Sequence, residues 1–172
     1  MSSIVQLRSF DRADAPLLAA LFAEDAVRQW NPGPTPDVVD RWWHEANAAV
    51  LDRQSRTWAV TDAVDDRLLG TVSVFDVHEV TREAEIGYRV LGAETGRGVA
   101  TAALLAAVPR ATVELGIRGL RLQHALDNRA SCRVATKGGF AAVATVPGVE
   151  AYGDGRLHPE HVHRWSTGAE QR

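Results

Sequence analysis

Cysteine is nearly absent from this 172-residue chain, which has one, and no apolar run is long enough to cross a membrane. The single cysteine, Cys132, excludes an internal disulfide. Asp14 and Glu24 bracket the apolar run LLAALFA, far short of the roughly 20 residues of a membrane span. Charges also break the opening residues, where a signal peptide would need an apolar run. We therefore expect a cytoplasmic protein with no membrane partner.

Clusters of basic residues are missing as well. The formal net charge is −3 and the pI is near 6.1, so the chain lacks the positive surface that binds a phosphate backbone. We expect no nucleic-acid partner, whereas a mildly acidic surface tolerates cationic substrates such as amines. Hydrophobic residues make up 45% of the chain, which is enough for one core. The sequence predicts a single domain over residues 1–172, with its core at about 4–165 and a short disordered C-terminal tail.

Apolar spacing predicts a chain in which short strands and helices are mixed. Period-two alternation is typical of strands, and a spacing of three and four residues is typical of helices. Pro109 lies inside the longest helical pattern, where we expect it to kink the helix. The predicted strands are 4–7, 58–60, 68–77, 84–91, 120–126, 141–146 and 157–165. One predicted helix begins at 14–16, and three others span 37–51, 99–115 and 131–137.

The segment 84–111 is the most informative part of the chain. It is a strand pattern that leads through a glycine-rich turn into a long helix. Gly96 and Gly98 leave the backbone uncovered, so N–H groups can converge on an anion in front of the positive end of the helix dipole. This arrangement predicts a site for the pyrophosphate of a phosphorylated cofactor.

Two common phosphate-binding motifs do not fit this turn. A Walker loop ends in a Lys-Ser/Thr pair, but Gly98 is followed by Val99 and Ala100. A dinucleotide fingerprint needs a third glycine where this chain has Thr101. Nucleotide hydrolysis and dinucleotide binding are therefore both disfavoured.

The turn Thr95-Gly96-Arg97-Gly98-Val99-Ala100 resembles the Arg/Gln-x-x-Gly-x-Gly/Ala loop of the GCN5-related N-acetyltransferases, or GNAT family. Only Thr95 departs from that pattern. A second landmark of the family is an asparagine at a strand end followed by a helix closing in Gly-Phe, and residues 128–140 are similar to it in spacing. The resemblance is to the RimJ/RimL-like branch, which acetylates ribosomal-protein amino termini and small amines.

The resemblance implies an α+β fold. Its central sheet would be mixed but mostly antiparallel, with about seven strands, a splay between strands 4 and 5, and about four flanking helices. The implied activity is direct transfer of an acetyl group from acetyl-CoA to a primary amine, on a protein or peptide N-terminus or on a small molecule. A non-catalytic acyl-CoA sensor and an aminoglycoside- or antibiotic-modifying enzyme remain alternatives, and a homodimer remains open.

The resemblance also implies a cofactor-binding set. Backbone groups of the strand before the turn would bind the pantetheine arm, and the Val90 N–H would polarise the acetyl carbonyl. Asn128 would bind the pantetheine amides. The implied cofactor-binding residues are Tyr88, Arg89, Val90, Thr95, Gly96, Arg97, Gly98, Val99, Ala100, Asn128 and Ser131.

Two residues are candidates for proton transfer. Glu85 occupies the strand position where several relatives place a catalytic glutamate, and it is the candidate general base, directly or through water. Its alternative is a solvated or salt-bridged carboxylate, paired with Arg89. Many relatives protonate the thiolate with a tyrosine where this chain has Ala135, so Ser131 becomes the candidate acid. Its alternative is simply to begin a helix.

The remaining candidates concern the acceptor and metals. Trp30 and Trp43, beside the proline turn, and His124, near the expected splay, are candidate substrate contacts, with core packing as the default for the tryptophans. His161 and His163 share a strand face, but the sequence shows no fourth ligand or cysteine beside them. We therefore predict no metal.

Overall fold

A seven-stranded mixed sheet forms the centre of the molecule. The computed structural model describes residues 4–49 and 54–168. The end of the predicted helix 37–51 and most of the predicted C-terminal tail lie outside these ranges. The strand order across the sheet is β1-β2-β3-β4-β5-β7-β6. The strands are β1 Val5–Arg8, β2 Arg56–Asp62, β3 Leu68–Phe75, β4 Glu83–Val90, β5 Gly119–Ala125, β6 Ala141–Val146 and β7 Glu160–Ser166.

Within residues 4–49 and 54–168, five α-helices flank the sheet, one more than the sequence predicted. The additional helix is α2, whose six residues are too short to show an apolar period; the extended backbone of Glu24 separates it from α1. No helix in the described part of the chain is long and apolar enough to span a membrane. The helices are α1 Ala15–Ala23, α2 Asp25–Trp30, α3 Val39–Ala48, α4 Val99–Leu115 and α5 Arg129–Lys137.

Strands β4 and β5 form the one parallel pair among the neighbouring strands of this sheet. Their register covers only Glu83↔Gly119, Ala84↔Leu120 and Glu85↔Arg121. Beyond Glu85, β4 continues to Val90 and β5 to Ala125 without pairing with each other. The opening predicted between the fourth and fifth strands is thereby confirmed.

Helix α4 packs on one face of the sheet and forms the larger core. Alternation along β2 turns Trp58 and Val60 toward this core, while Ala59 faces the second one. Helix α4 ends at Gly116, which has a left-handed φ of 69°. It continues through the exposed Pro109, which has no N–H to donate to the carbonyl of Leu105.

The opposite face of the sheet is covered by α1 and α3. Leu18, Leu21 and Phe22 of α1 pack with Trp43 of α3 in a second buried cluster. The Trp42 ring meets Phe22 edge-on, with centroids 4.9 Å apart.

The two neighbouring leucines of α4 provide a matched test of the larger core. Leu104 is fully buried, whereas 56% of Leu105 is exposed. We expect Leu104→Ala to lower the free energy of unfolding by about 2–5 kcal/mol, because it removes buried methyl groups and leaves a cavity. Leu105→Ala, with the same change in helix propensity, should shift it by less than about 0.5 kcal/mol. Urea unfolding of both variants measures the difference, and equal losses would contradict this packing.

Candidate active site

The glycine turn presents uncovered backbone at the start of α4. Gly96 and Gly98 have φ values of 80° and 84°, which side chains rarely adopt. Apart from Gly96 and its two chain neighbours, no atom of the described residues lies within 4 Å of the position that a Cβ on Gly96 would occupy, so the space outside the turn is open. No side chain caps the helix at Gly98 and no acidic residue lies in its first turn. The first N–H groups of a 17-residue helix therefore remain available to an anion.

The polar side chains around this turn are held by a buried carboxylate. Glu94 accepts from Arg67 at 2.8 Å and from Arg97 at 3.1 Å. The Arg97 side chain is 66% exposed, so it lies at the rim of the turn while paired with Glu94. Thr95, the one departure from the family pattern, is exposed beside it.

The backbone of β4 alternates between its neighbour β3 and the opening. The Leu91 N–H donates to the Leu69 carbonyl, and a Cβ on Gly70 would collide with the Arg89 carbonyl oxygen. The backbone N–H and C=O groups of Arg89 and Leu91 therefore point toward β3. Tyr88 and Val90 therefore direct their backbone groups to the opening. The sequence predicted that backbone groups of Tyr88, Arg89 and Val90 bind a pantetheine arm. The backbone groups of Tyr88 and Val90 are outside the β3 ladder, whereas those of Arg89 point away from the opening.

The side chain of Arg89 has a different task. Its guanidinium donates to the carbonyls of Asn31 (2.8 Å) and Pro32 (2.9 Å) and lies over the Phe22 ring. Desolvation lowers the pKa of Arg89 to about 10. Asn31 in turn donates from Nδ2 to the Tyr88 carbonyl at 2.9 Å. Arg89 thus fixes the turn after α2 against the edge of the opening.

Tyr88 and Ser131 meet across the opening. The Tyr88 hydroxyl donates to Ser131 Oγ at 3.1 Å, which joins β4 to the first turn of α5. Burial raises the pKa of Tyr88, so its phenol keeps its proton at neutral pH. Asn128 caps α5 by accepting from the Ser131 N–H at 3.2 Å. The sequence identified Ser131 and Asn128, but it assigned Tyr88 only a backbone role.

Glu85 lies on the face of the sheet away from α5. Its carboxylate pairs with Arg121 at 3.2 Å and its side chain is 23% exposed. Arg89, the partner suggested by the sequence, is occupied by the turn after α2. Desolvation raises the pKa of Glu85 above its usual value, and Arg121 offsets part of that rise. A carboxylate with a raised pKa is a better proton acceptor than an exposed one.

A polar and aromatic group borders Glu85 and was missed by the sequence analysis. Glu160 of β7 accepts from Tyr152 at 2.7 Å and from Gln123 at 3.2 Å, and it contributes to the raised pKa of Glu85. Tyr152 meets the Trp30 ring edge-on at 5.9 Å. The loop that carries Tyr152 has no periodic pattern, so the sequence gave no signal for this residue.

The predicted substrate contacts lie in three different environments. Trp30 belongs to this polar and aromatic group, with His158 as a second ring neighbour. Trp43 is 8% exposed in the second core and stacks on His44. His124 is buried on the face toward α4, with Nδ1 at 2.8 Å from the Ala125 carbonyl. The three therefore do not form one surface.

The prediction that no cysteine accompanies the β7 histidines is wrong. His124, Cys132, His161 and His163 each have a ligand-type atom, and these atoms all lie within 4.8 Å of one another. Helix α5 brings Cys132 over β5 and β7, which the separation along the chain did not indicate.

Three solved structures illustrate what the fold is similar to. RimL, a ribosomal L7/L12 alpha-N-protein acetyltransferase in complex with coenzyme A, has a TM-score of 0.84 at 18% identity, covering 98% of this chain and 97% of that chain. Spermidine N-acetyltransferase from Vibrio cholerae with CoA and spermine scores 0.80 at 18% identity, covering 96% of both. The microcin C7 self-immunity acetyltransferase MccE with acetyl-CoA and AMP scores 0.80 at 15% identity, covering 96% and 94%.

The family assignment comes from sequence. No curated protein matches the chain. A family profile described as an acetyltransferase (GNAT) domain matches residues 5–141, which include the glycine turn, the opening and α5. The resemblance expected from the two motifs is confirmed, and the chain belongs to the GNAT family of acetyltransferases.

Proposed function

We propose that this protein transfers an acetyl group from acetyl-CoA to a primary amine, directly and within a ternary complex. The observation that supports this most is the open strand edge between β4 and β5, which has the uncapped start of α4 on one side and the Tyr88–Ser131 pair across it. A held donor and a placed proton donor are what thioester aminolysis requires.

Donor binding would use mainly backbone. The N–H groups of Val99 and Ala100 belong to the uncapped first turn of α4 and suit a pyrophosphate, and Thr95 and Arg97 lie exposed beside it. The backbone groups of Tyr88 and Val90, which point away from β3, suit an extended pantetheine arm added like a strand. Asn128, at the start of α5, is the side chain proposed for the pantetheine amides. RimL and the spermidine acetyltransferase, which share this fold, were solved with coenzyme A.

The proposed chemistry divides proton transfer between the two sides of the sheet. Bound acetyl-CoA supplies an activated acyl thioester. The Val90 N–H is oriented to polarise a carbonyl in the opening. Glu85 accepts the proton that the amine loses as its nitrogen bonds to the acyl carbon. Ser131, hydrogen-bonded to Tyr88, donates the proton that the departing thiolate takes up.

The acceptor side favours a cationic amine. Glu85 and Glu160 supply negative charge, and Trp30 and Tyr152 offer aromatic faces beside it. The similar structures include a ribosomal alpha-N-protein acetyltransferase and a spermidine N-acetyltransferase. Protein or peptide amino termini, polyamines and antibiotic amines are therefore the acceptor classes to compare.

A panel of these amines tests the function. We expect thiol release from acetyl-CoA to rise severalfold or more above the amine-free rate with at least one class. Differential scanning fluorimetry with CoA reports donor binding separately. Binding of CoA without turnover on any amine would contradict the enzyme proposal and favour an acyl-CoA sensor.

Thr95 allows a test of the anion site by charge alone. We expect Thr95→Glu to weaken CoA binding about tenfold, because a carboxylate beside the uncapped amides competes with the pyrophosphate. In Thr95→Gln the new side chain has nearly the same size as that of Thr95→Glu but no charge, so this variant should bind CoA at least as well as the wild type. Isothermal titration with CoA measures both. Equal affinities for the two variants would place the pyrophosphate elsewhere.

Glu85→Gln tests the base. We expect kcat/KM for an amine with a pKa near ~10.4 to fall about 10²- to 10⁴-fold, with a smaller fall for an α-amine near ~8. Because the base must be ionised, wild-type activity should decrease as pH falls through the raised pKa of Glu85, and the variant should lose that acidic limb.

Glu83→Gln is the matched control for this test. Glu83 lies on the same strand face, half exposed and paired with Arg164, and its variant should keep both rate and pH profile. A Glu85→Gln enzyme that keeps the wild-type rate and pH profile would contradict the assignment of Glu85 as the base. In that case the pH profile of Glu160→Gln should be measured: loss of the acidic limb would identify Glu160 as the base, and an unchanged profile would exclude it.

Ser131→Ala and Tyr88→Phe test the proton donor. We expect each to lower kcat about tenfold or more while CoA affinity changes less than threefold, because the thiolate loses its assisted protonation. If the two hydroxyls act as a unit, the double variant should be little slower than either single one. Steady-state kinetics with CoA titrations measure this cycle. Multiplicative losses would show that the hydroxyls act independently.

A further inference from the structure

A cluster of nitrogen and sulfur groups lies on the sheet face opposite Glu85. It consists of His124 of β5, His161 and His163 of β7, and Cys132 of α5, and we call it the His–Cys cluster. His161 is the register partner of His124, and His163 that of the core residue Leu122, so the three rings share the face covered by α4 and α5. The proposed acetyl transfer uses none of these four side chains.

The distance between two of the rings suits a common ligand. Nε2 of His124 and Nε2 of His163 are 3.2 Å apart. Two nitrogens bound to one tetrahedral zinc, each at about 2.0–2.1 Å, are separated by about 3.3–3.4 Å. The four ligand-type atoms of the cluster all lie within 4.8 Å of one another, so small side-chain rotations would close the tetrahedron.

The tautomer of His124 is fixed by its backbone partner. Its Nδ1 lies 2.8 Å from the Ala125 carbonyl oxygen, which can only accept, so Nδ1 carries the proton. The lone pair is then on Nε2, the atom that faces His163. A ligand histidine whose other nitrogen donates to a carbonyl is the usual outer-shell arrangement of a metal site.

One other ring nitrogen of the cluster lacks a partner. Within the described residues, Nδ1 of His161 is buried and has no hydrogen-bond partner, and the ring of His163 is fully buried. Unpaired buried polar groups carry a free-energy cost that a bound ligand can offset. Desolvation lowers the pKa of His124 and His163.

We propose that the His–Cys cluster binds one Zn²⁺ ion, with three imidazoles and the Cys132 thiolate as a closed tetrahedral set. Nitrogen and sulfur donors select zinc over magnesium and calcium, which prefer oxygen. A complete set of four protein ligands is typical of a structural site, because no position is left for water or substrate. The ion would fasten α5 to β5 and β7. This site stands independently of the proposed acetyl transfer.

Cobalt provides a direct spectroscopic test on the full chain. After removal of metals with a chelator, we expect Co²⁺ titration to give the intense visible bands of tetrahedral cobalt and a thiolate charge-transfer band at one equivalent. Zn²⁺ should displace them. No spectral change, or only the weak bands of six-coordinate cobalt, would overturn the proposal.

Variants connect the spectrum to the cluster. Cys132→Ser should abolish the charge-transfer band, and both it and His161→Gln should lower zinc affinity at least 100-fold. Both positions are partly exposed, so the variants are expected to fold. His158→Ala removes a histidine outside the cluster and should bind like the wild type. Unchanged affinity in Cys132→Ser and His161→Gln would overturn the proposal even if zinc binds elsewhere.

Thermal unfolding supplies a second measurement. Zinc should raise the Tm of the wild type and of His158→Ala in proportion to ln[Zn²⁺], because it binds only the folded state. Cys132→Ser and His161→Gln should show little rise. An equal rise in all four proteins would contradict binding at the cluster.

Discussion

The early end of the pairing between β4 and β5 is the constraint on which the rest of the structure depends. A strand edge inside a sheet exposes N–H and C=O groups that must be satisfied, because burying them without partners costs free energy. Here the pairing ends at Glu85↔Arg121, and the backbone of Tyr88 and Val90 faces the opening. Carbonyl groups of this edge can accept hydrogen bonds, since Asn31 donates to the Tyr88 carbonyl.

The elements around the opening divide its chemistry between two faces of the sheet. Strand alternation puts Tyr88 toward α5, where its hydroxyl meets Ser131, and puts Glu85 on the opposite face, beside Glu160 and Arg121. The proposed proton donor and the proposed proton acceptor thus lie on opposite faces of the sheet. Desolvation raises the pKa of both the Tyr88 phenol and the Glu85 carboxylate.

Helix α5 connects these features to the rest of the fold. Its first turn carries Ser131, and Asn128 caps it. The next residue, Cys132, lies at the His–Cys cluster between the helix and β5 and β7. The position of the Ser131 hydroxyl therefore depends on contacts that α5 makes with the preceding strand β5 and with β7, which is more distant in sequence.

The sequence by itself determined what depends on neighbouring residues. The alternation of the strands and the left-handed conformation of Gly96 and Gly98 depend on a few neighbouring positions, so the seven strands and the uncovered turn before α4 were accessible from their patterns. Asn128 and Ser131 were found through the resemblance to the family. Helix α2 was not predicted, because its six residues are too few to show an apolar period. Tertiary structure alone decided that Glu85 pairs with Arg121, that Tyr88 reaches Ser131, that Tyr152 holds Glu160, and that Cys132 joins three histidines. Each of those contacts joins separate elements, and their distances are set by how the strands and helices pack rather than by spacing along the chain.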